Sequence, residues 1–64
     1  MNDFYENSVN EVIRELREKR ADAWNTFKSL SDEGYSTEAR EFHKLHEFFR
    51  RLVSEALKIK YSQE

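Results

Sequence analysis

The sequence predicts an all-α protein, an antiparallel hairpin of two amphipathic helices. The chain contains no proline and a single glycine, Gly34, so almost nothing in it interrupts a helix. Apolar residues recur at spacings of three and four on both sides of that glycine, which is the helical period. A chain of 64 residues forms one domain at most. We therefore expect one domain, 1–64, with helices at about 3–32 and about 37–60 and a turn at about 33–36.

The first helix is predicted to begin near Asp3. Glu6 follows three residues later, which fits a capping box, in which the acid and the cap residue satisfy free backbone N–H groups. Ser8 followed by Glu11 fits the same pattern and gives an alternative start.

The apolar stripe of the first helix is narrow and is interrupted at its centre by Arg20. Its members are Val9, Val12, Ile13, Leu16, Ala23, Phe27 and Leu30. Counting outward from the turn places Arg20 level with His46 and Glu47. Because a buried arginine needs a partner or a route to solvent, we expect these three residues to form a polar layer, which in helical bundles can fix register or oligomeric state.

The turn is predicted around Gly34 as the left-handed residue that follows the first helix. In the Schellman motif this makes Leu30 and Tyr35 the pair that form an apolar contact. Ser36 or Thr37 is expected to cap the second helix, with Glu38 in its first turn. A connection this short makes the two helices antiparallel neighbours.

The second helix has a wider apolar surface than one neighbouring helix covers. A heptad stripe is widened on both sides until it spans roughly half the circumference. The predicted self-association or partner surface comprises the stripe Phe42, Leu45, Phe49, Leu52, Ala56 and Ile59, the widening residues Phe48, Val53 and Leu57, and Trp24 from the first helix. Trp24 is flanked by Arg17 and Lys28, a composition typical of binding hot spots.

Self-association is the expected source of the missing stability. A core this small rarely suffices alone, and the chain has no cysteine for a disulfide or a thiolate zinc site. We expect a homodimer forming a four-helix bundle, in which the surplus apolar surface meets its own copy. The plan is similar to that of the hairpin-dimer Rop proteins in length and architecture alone. No motif is shared with them, so neither function nor residues are inferred from it.

No catalytic, cofactor or metal site is predicted. His43 and His46 lie three residues apart, whereas the zincin motif places its histidines four apart around a glutamate, and a structural zinc needs four ligands. Glu47 adds one ligand and no others are evident. A two-helix hairpin also offers no pocket that excludes water, so we expect no enzyme activity.

The charge pattern leaves two interpretations open. A net charge of -2 and a pI near 5.7 weigh against a dedicated nucleic-acid protein. The second helix nevertheless carries a basic strip that can track phosphates, comprising Arg40, Lys44, Arg51 and Lys58. The favoured alternative is a solvated face with ion pairs such as Glu47 with Arg51.

These observations predict a small, soluble, non-catalytic regulatory or adaptor protein. Its expected partners are a second copy and another, unidentified protein, with RNA or DNA the less favoured alternative. No apolar run is long enough for a membrane span or a signal peptide, so we expect a cytoplasmic protein without a membrane partner. An origin in a phage or other mobile element is a hypothesis from size alone.

Overall fold

The protein is a hairpin of two long helices. The structure, a computed structural model, describes residues 3–62, with side chains from Ser8 to Ser62. Helix α1 spans Asp3–Asp32 and helix α2 spans Ser36–Ser62, and the two pack against each other along their length. The predicted all-helical hairpin is thus confirmed for these residues. Helix α2 begins one residue before and ends two residues after its expected bounds.

Helix α1 begins at Asp3, so Ser8 lies inside the helix and is not its start. The capping box expected of Asp3 and Glu6 rests on side chains outside the described part of the chain.

The turn has the hydrogen bonds of a Schellman motif. Gly34 has a φ of 87°, the left-handed conformation predicted for it. The Gly34 N–H donates to the carbonyl oxygen of Ser31 at 3.2 Å, and the Tyr35 N–H donates to that of Leu30 at 2.9 Å. Two carbonyls at the end of α1 that lack helical partners are thereby satisfied. The apolar contact expected between Leu30 and Tyr35 stays a prediction.

Tyr35 also serves as the N-cap residue of α2, which corrects the prediction of Ser36 or Thr37. The first helical bond of α2 runs from the Ala39 N–H to the Tyr35 carbonyl oxygen at 2.8 Å. The Tyr35 N–H bonds to the end of α1, while its carbonyl oxygen accepts the first hydrogen bond of α2. One residue therefore joins the hydrogen-bond networks of both helices.

Replacing Gly34 with alanine is expected to lower the free energy of unfolding by about 1 kcal/mol, the cost of a left-handed conformation for a residue with a Cβ. No atom lies within 4 Å of a Cβ built at this position, so the loss is conformational and not a clash. Urea unfolding followed by circular dichroism at one protein concentration measures it. Gly34→Asn, which tolerates this conformation better, is the control and should lose less. Equal stability of Gly34→Ala and the wild type contradicts this account of the turn.

The core is a thin line between the helices. Of the side chains from Ser8 to Ser62, four apolar ones are buried: Ile13, Ala23, Ala39 and Val53. Among the side chains described, none is less than 2% exposed. Larger side chains such as Phe27 and Phe49 are only half-buried. Because each helix has one neighbour, the hairpin buries side chains only along the line of contact between α1 and α2.

Val12 lies outside this core, although the pattern placed it in the apolar stripe of α1. It is 49% exposed, whereas the adjacent Ile13 is 5% exposed. Consecutive residues point about 100° apart on a helix, so burying Ile13 against α2 turns Val12 to the flank. The stripe of α1 is therefore narrower than predicted.

Over the described residues, neither helix has an apolar stretch of the length needed to cross a bilayer.

Candidate interaction surfaces

The hairpin presents two long sides, each with an open groove between the helices. On one side, a groove of about 250 Å³ is lined by Lys19, Asp22, Ala23 and Thr26 of α1 and by Phe42, Leu45 and Phe49 of α2. On the other, a groove of about 380 Å³ is lined by Arg20, Ala21, Trp24 and His46. We refer to them as the Leu45 side and the Trp24 side.

The Leu45 side carries an apolar patch that α1 leaves uncovered. Leu45 is 39%, Phe48 50% and Ile59 51% exposed, and Leu52 between them is half-buried. We define these four residues as the apolar patch. Leu45, Leu52 and Ile59 are seven residues apart, so they form one line along the helix. A second groove of about 400 Å³ next to it is lined by Glu41, Phe42, Lys44, Leu45 and Phe48.

The interface predicted from the sequence does not form one surface. Val53 is 5% exposed inside the hairpin, so it has no surface to offer a partner. Leu57 lines a groove on the Trp24 side, and Trp24 itself lies there, across the hairpin from Leu45. The half-buried members of the stripe, Phe42, Phe49 and Ala56, flank the core. What remains open on a single side is the apolar patch.

A cluster of four aromatic rings on the Trp24 side was not anticipated. The ring centroid of Trp24 lies 5.1 Å from Phe27 and 5.0 Å from His46, and Phe27 lies 5.2 Å from His43. The separations and tilted rings are those of favourable aromatic pairs. The sequence contains a signal for this cluster. Trp24 and Phe27 are three residues apart, as are His43 and His46, and the two pairs lie at matching distances from the turn.

The histidines in this cluster pack against rings. Among the residues whose side chains are described, no group of three potential His, Cys, Asp or Glu metal ligands occurs. The His46 Nδ1 atom is buried and has no hydrogen-bond partner, since Glu47 Oε2 at 3.3 Å lies outside hydrogen-bonding geometry. A buried polar atom without a partner costs about 1–3 kcal/mol, which the ring contacts of His46 partly offset.

The predicted polar layer of Arg20, His46 and Glu47 is formed only in part. His46 Nδ1 lies 3.3 Å from Glu47 Oε2, but Arg20 makes no ion pair with any residue whose side chain is described. Arg20 and His46 line the same groove, but Glu47 accepts two hydrogen bonds from Arg50, from Nε at 3.2 Å and from Nη2 at 3.1 Å. Adjacent helical residues point about 100° apart, so a His46 that faces Trp24 turns Glu47 outward. The expected pair of Glu47 with Arg51 is replaced by this pair with Arg50.

The Glu47 carboxyl has a shifted pKa. The hydrogen bond from Arg50 lowers the pKa of Glu47 below its ordinary value, aided by the positive charge of Arg50 and opposed by partial desolvation. Because the pKa of Glu47 is lowered in the folded state, the pair of Glu47 with Arg50 stabilises the helix at pH values above the unfolded-state pKa. This stabilisation is lost as the pH falls through the folded-state pKa. The pair is exposed, and its effect is local to α2.

The basic strip on α2 is solvent-exposed along its length. Lys44 lies 3.5 Å from Glu41, and Lys58 lies 3.4 Å from Glu55. Half of the strip therefore has a carboxylate beside it, which weakens its attraction for phosphate. Arg40 and Arg51 make no ion pair with any residue whose side chain is described.

Compared with models of protein families, with curated proteins and with solved structures, the chain matches none.

Proposed function

We propose that this protein is a small, non-catalytic regulatory or adaptor protein that works by protein–protein binding as a homodimeric four-helix bundle. The apolar patch of Leu45, Phe48, Leu52 and Ile59 is the observation that carries the proposal. It is the contact surface for the second copy.

The energetics of burial favour a partner on this patch. Fully burying a leucine, isoleucine or phenylalanine side chain contributes about 1.5–3 kcal/mol. Leu45, Phe48 and Ile59 are each between 39% and 51% exposed, so about 1 kcal/mol is left to gain at each. In a two-fold contact every residue is buried twice, which doubles the gain. A hairpin with four buried residues has little other stability to draw on.

The layout of the patch suits a two-fold axis near Leu52. Leu45 and Ile59 lie seven residues to either side of it, so an antiparallel pair of α2 helices brings Leu45 of one copy opposite Ile59 of the other. Such a pairing also brings the two basic strips together. The carboxylates beside Lys44 and Lys58 limit this repulsion, and the remaining exposed charges cost at most about 1 kcal/mol each.

A cysteine at position 52 tests the contact directly, because the protein contains no native cysteine. A residue on a two-fold axis meets its own counterpart, so Leu52→Cys is expected to form a disulfide-linked dimer under mild oxidation. Non-reducing electrophoresis and intact mass measure the linked fraction.

Arg40→Cys is the matched control, since position 40 is exposed on α2 away from the patch. Its linked fraction should stay low and should grow with protein concentration through random collisions. Equal rates of linking at positions 40 and 52 would argue against the axis near Leu52. No enrichment of the linked dimer at position 52 at any concentration would argue against the dimer surface.

A further inference from the structure

The Trp24 side of the hairpin is basic although the whole chain is acidic. The longer of its two grooves, about 590 Å³, includes Arg14, Arg17, Lys60 and Tyr61 in its lining and shares Ala21 with the groove at Trp24. The two grooves are thus adjacent to each other. Glu18 is the one carboxylate among the residues that line them.

Another cation flanks these grooves. Lys28 lies one turn beyond Trp24 on α1, so it belongs to the same side. From Arg17 to Lys28 the basic row of α1 extends about 16 Å at 1.5 Å per residue.

Most of these cations have no counterion. Arg14 pairs with Glu11 at 2.6 Å, and Arg50 pairs with Glu47. Within residues 8–62, by contrast, Arg17, Arg20 and Lys28 make no ion pair. The Trp24 side therefore differs from the strip on α2, where Lys44 and Lys58 have neighbouring carboxylates.

An aromatic platform lies in the middle of this basic surface. Trp24 is 38% exposed, and its ring packs against the rings of Phe27 and His46. Surfaces that bind single-stranded nucleic acid combine these two elements, cations that contact the backbone and aromatic side chains on which bases stack.

We propose that the Trp24 side binds single-stranded nucleic acid, with Arg17, Arg20 and Lys28 at the phosphates and Trp24 stacked on a base. An acidic peptide matches the charge but has no base to occupy the platform. The site lies opposite the apolar patch, so dimerisation leaves one such surface free on each copy.

The test is fluorescence anisotropy of a labelled oligothymidylate of about 20 nucleotides, titrated with the full-length protein. Binding is expected at low salt, with an affinity that falls as salt rises. Three phosphate contacts predict a slope of about -2 for the logarithm of affinity against that of salt. Unlabelled oligonucleotide should quench the fluorescence of Trp24, the one tryptophan of the chain.

Two matched double variants localise the site. Arg17→Gln with Lys28→Gln is expected to weaken binding about tenfold and to reduce the slope by about 1.4. Lys44→Gln with Lys58→Gln removes the same charge from the other strip and should change affinity less than about threefold. Trp24→Ala should weaken binding about tenfold through lost stacking. Circular dichroism confirms that each variant is folded.

Three results would overturn the proposal. One is the absence of binding at low salt, and another is equal weakening by the two double variants. The third is poly-glutamate of the same length binding as tightly as the oligonucleotide, which indicates an acidic protein partner. None of these results bears on whether the protein dimerises.

Discussion

Phe48→Glu is expected to separate the dimer into monomers. Phe48 is 50% exposed and is not part of the line buried between α1 and α2, so the substitution acts at the dimer contact and not inside the hairpin. At the proposed contact, the substitution removes an apolar ring and places a carboxylate in an apolar setting, a loss of about 2 kcal/mol for each copy. Because two copies meet, the dissociation constant should rise about a thousandfold. Sedimentation equilibrium measures the constant.

Tyr61→Glu is the control for Phe48→Glu. Tyr61 is an aromatic residue, 62% exposed, at a groove on the opposite side of the hairpin. The same change of chemistry there should leave the dissociation constant within about threefold of the wild type. If both substitutions weaken association equally, or if neither does, the apolar patch is not the dimer surface.

Val53→Asp is expected to unfold the hairpin. Val53 is 5% exposed on the line of contact with α1, and a carboxylate there has no partner and little access to water. Burying such a group costs about 3–5 kcal/mol, which is comparable to the whole stability of a domain this small. The helical signal in circular dichroism should collapse at neutral pH and recover in part at acid pH, where the carboxyl is neutral.

Val12→Asp is the matched control, with the same substitution at a valine that is 49% exposed. It should retain the helical signal and lose less than about 1 kcal/mol of unfolding free energy. A folded Val53→Asp protein would mean that the helices do not pack along the line of Ile13, Ala23, Ala39 and Val53.

The turn was predictable from the sequence because its cause is local. Gly34 is the only glycine, and the left-handed conformation at the end of a helix is one that glycine adopts without strain. The cap of α2 was not predictable by the same reasoning. Tyr35 takes that position through its backbone alone, so its side chain gave no signal.

The division of α2 into covered and uncovered parts was beyond the sequence pattern. An apolar arc of half a circumference permits several rotations of the helix, and each one buries a different set of side chains. The structure buries Ala39 and Val53 and leaves Phe48 outside. Small alanines at the contact let the helices approach closely, a preference that hydrophobicity alone does not reveal.

The position of Trp24 depends on the same rotation. The sequence places Trp24 at the edge of the α1 stripe without indicating which edge. The pattern alone therefore does not separate Trp24 from the apolar surface of α2. Its contacts with Phe27 and His46 assign it to the side opposite Leu45. The choice of Arg50 over Arg51 as the partner of Glu47 is decided by side-chain rotamers, which the spacing of residues leaves open.

If a second copy of the chain covers the apolar patch on α2, the mass of the wild-type protein in solution depends on its concentration. Sedimentation equilibrium over a dilution series measures this mass, and circular dichroism of the same samples measures helicity. We expect twice the 7.8 kDa chain mass at high concentration, with mass and helicity falling together on dilution. A fully helical protein that keeps the mass of one chain at every concentration would contradict it.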